Sequence, residues 1–77
     1  MKLSTWQRRA LIEFDKRDRL RPGEWQSKPY RCGVPTIAAL VRLGLIESRV
    51  VLPYHERQGR ILPAGRKLVR VILAAEA

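Results

Sequence analysis

The stretch "TIAALVRLGLIES", residues 36–48, decides how this chain folds. Ile37, Leu40, Val41 and Gly44 recur at i, i+3, i+4 and i+7, the spacing that places them on one face of a helix. Pro35, just before, fixes the backbone angle that a first helical turn needs. Gly44 suits the left-handed residue that ends a helix, and Leu45 is then expected to fold back on Leu40. The residues that follow turn β-like. The stretch therefore predicts a helix, a glycine stop and a strand, and Arg42 is its only cation before the stop.

Downstream, "ESRVVLPYHERQGRIL" predicts two strands, residues 50–52 and 60–62. Pro53 marks a strand end. The intervening loop, residues 54–59, is polar and closes on Gly59, which gives a basic hairpin. "PAGRKLVRVILAAEA" then predicts a C-terminal helix with Leu68, Val69, Ile72 and Leu73 as its apolar stripe. Arg66, Lys67 and Arg70 fall mostly off that stripe.

Upstream, Ser4 and Gln7 form a capping-box pattern ahead of a helix over residues 5–18. Trp6, Ala10, Leu11 and Phe14 mark its buried face, and Ile12 lies to one side. Residues 20–35 carry Pro22, Pro29 and Pro35 with Gly23 and Gly33, which break any long helix. Pro22 suits the first position of a short second helix reaching Ser27. Lys28, preceding Pro29, is biased toward extended backbone. Trp25 and Tyr30 read as anchors on the core.

Bulk properties narrow the function. Seventy-seven residues make a single domain, residues 1–77. Apolar residues are 45% of the chain, enough for a small core. Sixteen Lys and Arg against seven Asp and Glu leave a net charge of +9, which favours a polyanionic partner. Cys32 is the lone cysteine, so no disulfide forms within the chain and a reducing compartment is expected. Cys32 and His55 do not make a metal set. No catalytic triad or phosphate loop is present, and neither enzyme activity nor a cofactor is expected. The first ten residues lack a secretory pattern, and the longest apolar run, residues 37–41, is too short for a bilayer. A cytoplasmic protein without a membrane partner is the expectation.

Two phrases and their spacing add a family likeness. "LVRLGLIE", Leu40 to Glu47, ends in the Gly-Leu-Ile-Glu that closes a helix, and "LPAGR", Leu62 to Arg66, opens the next one after a basic hairpin. This combination resembles the winged helix-turn-helix domains of MarR-like and PadR-like bacterial regulators, over residues 35–73. The resemblance implies an α+β fold: a small winged helix-turn-helix domain with a truncated second helix, a two-stranded wing and a C-terminal helix. It implies binding of double-stranded DNA, sequence-tolerant or specific, as a small bacterial or phage transcriptional regulator.

Carried over, Thr36, Ala39 and Arg42 would face the major groove. Arg49, Arg57 and Arg60 would be cations of the wing, with His55 and Gln58 as polar contacts. Lys28, Tyr30 and Arg31 would lie just before a helix N-terminus, where free backbone N–H groups attract phosphate. The chain departs from the pattern in its proline-crowded second helix, in its polar-poor third helix, and in having no second domain or long dimerisation helix. No effector pocket is therefore expected. The alternative is a protein-interaction adaptor or inhibitor on the same scaffold, facing an acidic protein partner. Pairing as a homodimer, through the first or the last helix, stays open.

Overall fold

A computed structural model describes residues 2–29 and 32–76. The order is α1 (Thr5–Leu20), β1 (Gln26–Ser27), α2 (Val34–Arg42), β2 (Ile46–Val51), β3 (Glu56–Ile61) and α3 (Pro63–Glu76). The three strands form one antiparallel sheet in the order β1-β3-β2. The result is a small α+β domain.

The capping box at the start of α1 is present. The Ser4 hydroxyl accepts from the Gln7 N–H at 3.2 Å, and the Ser4 N–H donates to Gln7 Oε1 at 3.0 Å. α1 runs two residues beyond the expected Asp18. Ala10, Leu11 and Phe14 are buried, whereas Trp6 is exposed. Ile12 packs against the edge of the core.

The expected second helix is absent. Asp18, itself buried, explains why. One of its carboxylate oxygens accepts the Gly23 N–H at 3.1 Å, and the other holds Arg66 of α3 at 2.9 Å. Gly23 turns with φ at +77°, a region that glycine enters without a Cβ clash. The chain reverses there and enters the sheet as β1, pairing Gln26 with Gly59 and Ser27 with Gln58. Pro22 thus lies in a turn rather than at a helix start.

α2 begins at Val34, with Pro35 in its first turn. Its end is the predicted glycine stop. Gly44 has φ at +73°, its N–H donates to the Val41 carbonyl at 3.0 Å, and the Leu45 N–H donates to the Leu40 carbonyl at 3.1 Å. These two bonds satisfy carbonyls that the helix end would orphan, and Leu40 and Leu45 are both buried. Val41, expected on the buried face, is exposed instead.

Both strands of the hairpin are longer than the apolar runs suggested. Pairing extends from Ile46 opposite Ile61 to Val51 opposite Glu56. Gly59 is not a turn residue. It lies inside β3, where an added Cβ would stand 3.0 Å from two ring carbons of Phe14. The glycine lets the Phe14 ring lie flat on the sheet.

The two family-like phrases form one physical joint. The Leu45 carbonyl accepts the Leu62 N–H at 3.0 Å. α3 then starts so close to this point that a Cβ on Gly65 would stand 2.2 Å from the same carbonyl oxygen. Phe14, Leu11, Ile37, Leu40, Ile46 and Val69 are the largest fully buried side chains, and they tie α1, α2, the sheet and α3 together. Leu68 and Ile72 pack at the core's edge, and Leu73 is largely exposed.

Candidate nucleic-acid interface

The expected contact residues separate into held and free groups. The sheet has an inner face on the core and an outer face in solvent. Alternation along β3 sends Gly59 and Ile61 inward and Gln58 and Arg60 outward. On the outer face, Arg60 pairs with Glu47 directly across the ladder and donates to the Gly23 carbonyl at 3.3 Å. Its guanidinium also lies 4.4 Å from the centre of the Trp25 ring. Arg49 donates to Gln58 Oε1 at 3.0 Å and lies 4.5 Å from the same ring. Trp25 is therefore an outer-face clamp on two arginines rather than a core anchor. Sequence reasoning missed this because β1 is only two residues long. The missing signal was register: Gln26 opposite Gly59 places Trp25 beside Arg60.

Arg49, Gln58 and Arg60 are thus already engaged within the protein. Arg57 is different. It sits opposite Val50 near the far end of the hairpin, half-buried and with no carboxylate partner among the described residues. The hairpin tip, residues 52–55, carries no Lys or Arg, so the charge lies on the arms of the hairpin and not at its tip. Leu52 and Tyr54 there are 69% and 90% exposed, and His55 has φ at +53°.

α2 presents few polar groups. Its exposed positions are Val34, Pro35, Ala38, Val41 and Arg42, while Thr36 and Ala39 are half-buried beside them. Gly33 starts the helix without a side-chain cap. Lys28 is exposed between β1 and α2. Tyr30 and Arg31 lie outside the described residues.

The charge over the rest of the surface follows the same division. Six carboxylates each hold an arginine: Glu13 with Arg17, Asp15 with Arg19, Asp18 with Arg66, Glu24 with Arg21, Glu47 with Arg60, and Glu76 with Arg8. Glu56 accepts the Ser27 hydroxyl at 2.6 Å. Among the described residues, Lys2, Arg9, Lys16, Lys28, Arg42, Arg49, Arg57, Lys67 and Arg70 have no carboxylate partner. The acids are consumed and the excess charge is left facing water.

Cys32 is a buried part of the core. Burial pushes its thiol pKa up, against a smaller opposing pull from Lys28, so the thiol stays protonated at neutral pH. No helix among the described residues is long and apolar enough to cross a membrane.

Comparison with protein-family models, with curated proteins and with solved structures found no match to this chain.

Proposed function

We propose that this domain binds double-stranded DNA as a small winged-helix module, serving as a transcriptional regulator of bacterial or phage type. The observation that carries the reading is the division of charge. The carboxylates are spent on arginines that brace the fold, and a surplus of unpartnered cations remains for phosphates. The element order, with α2 leading directly into a two-stranded hairpin, supports a winged-helix arrangement.

Affinity in this reading comes mainly from the backbone of the duplex. α2 offers Arg42 and little else that hydrogen-bonds a base edge, so base discrimination is shallow. Lys28, Arg42 and Arg57 are the expected phosphate contacts. Arg49 and Arg60 position the hairpin instead. Titration of random-sequence and genomic duplexes at several salt concentrations tests this. Affinity no better than that of a scrambled basic peptide of equal charge would refute it.

A protein-interaction module is the second reading. The exposed side of α2, Val34, Ala38 and Val41, and the tip residues Leu52 and Tyr54 are apolar, which suits a protein surface better than a groove floor. Complexes recovered after nuclease treatment would favour it, and complexes lost with nuclease would count against it.

A further inference from the structure

α3 carries a second apolar ridge that the fold does not use. Gly65 and Val69 face inward and are buried. Leu68, Val71, Ile72 and Ala75 follow the i, i+3, i+4, i+7 pattern and line a cleft of about 290 Å³, closed on its other side by Lys2, Leu3 and Arg8. Val71, at the middle of the ridge, is 60% exposed. A valine left this open on a helix with neighbouring aliphatic side chains is an incomplete contact.

The rim of the cleft identifies what completes it. Lys2 and Lys67 are exposed and have no carboxylate partner among the described residues. Arg8 meets Glu76 at 3.4 Å in a solvent-exposed pair, which holds its charge weakly. The floor is aliphatic and the rim is cationic. Nucleic acid does not suit an aliphatic floor that offers it no donors. A second copy of this chain would bring its own Lys2 and Lys67 against the same cations, and like charges in apposition oppose pairing.

We propose that the groove between α3 and residues 2–8 docks an amphipathic helix of a partner protein, one that sets acidic residues beside an aliphatic stripe. The stripe fills the cleft over Val71 and the carboxylates meet Lys2, Arg8 and Lys67, the helix-in-groove mode of recognition. This surface stands apart from the cations assigned to DNA, so the proposal does not depend on that reading.

The test uses the full chain and a synthetic amphipathic helical peptide with Leu on one face and Glu on the other, followed by amide NMR shifts. Saturable shifts at Lys2, Arg8, Leu68, Val71 and Ile72, with Kd of about 100 µM or tighter, are expected. Peptides with Lys in place of Glu, or Ser in place of Leu, should not bind. V71D, at an exposed position, should weaken the Glu peptide about tenfold while the fold persists, since it removes an aliphatic contact and adds repulsion. K67E should weaken it several-fold through charge alone. Three results would overturn the proposal: equal binding of the Lys or Ser peptide, shifts confined to α2 or the hairpin tip, or self-association of the chain that V71D abolishes.

Discussion

The outer face of the sheet and the far arm of the hairpin carry the same residue type in opposite situations. On the outer face, Arg60 has Glu47, the Gly23 carbonyl and the Trp25 ring as partners, and Arg49 has Gln58 and the same ring. On the far arm, Arg57 stands opposite Val50 with no carboxylate. A guanidinium with that many protein partners is pinned, and moving it to a phosphate would break the contacts that hold β1 on the sheet. One without them is free to meet a ligand at little cost. Net charge alone does not separate these groups, and the separation makes mutational outcomes diverge.

The strongest way to break the comparison is to remove the joint on which both regions hang. Gly65→Ala puts a Cβ 2.2 Å from the Leu45 oxygen and 2.8 Å from Ile61. Backbone cannot yield there cheaply, and a loss of about 3 kcal/mol or more is expected. A domain of this size has little stability to lose. Thermal unfolding followed by circular dichroism should show a large fall in Tm, with the DNA affinity lost alongside it. Gly44→Val, at a positive φ with open space around the missing Cβ, should cost about 1–2 kcal/mol through backbone strain alone.

Arg60→Ala sharpens the comparison from the held side. It removes an ion pair, a cation–π contact and a bond to the Gly23 carbonyl, and should cost about 1–2 kcal/mol in denaturant unfolding. Its DNA affinity, measured where the variant is folded, should change little. Arg57→Ala is the mirror experiment. Stability should stay within about 0.5 kcal/mol, while affinity for every duplex falls by a similar factor. The smallest effect concerns Cys32. Its buried, protonated thiol should react slowly with an alkylating agent at neutral pH, and should react at the rate of a free thiol once the chain is unfolded.

Particular residues show how far the sequence alone carries this account. The start of α1 and the end of α2 are local: Ser4 with Gln7, and Gly44 with Leu40 and Leu45, lie within a few positions of one another, and local rules anticipate both. β1 is not local. Two residues give no alternation, and only pairing with β3, more than thirty positions away, makes them a strand. The hairpin was read from its apolar runs. Its polar residues, Glu47, Arg49, Gln58 and Arg60, pair with each other across the ladder, and that complementarity is invisible until the register is known. Gly59 had the composition of a turn and the role of a contact surface for Phe14. The candidate cations were visible as residue types, but their division into held and free depends on neighbours distant in sequence.

The central claim is that the free cations, and not the held ones, grip DNA. It is tested most directly by the slope of log affinity against log salt for one duplex with the wild type, Arg57→Ala and Arg60→Ala. Each neutralised phosphate contributes about −0.9 to that slope. Lys28, Arg42 and Arg57 together predict a wild-type slope of about −3 or steeper. Arg57→Ala should flatten it by about 0.9, and Arg60→Ala should leave it unchanged. A flat wild-type slope, or equal flattening by both variants, would contradict the account.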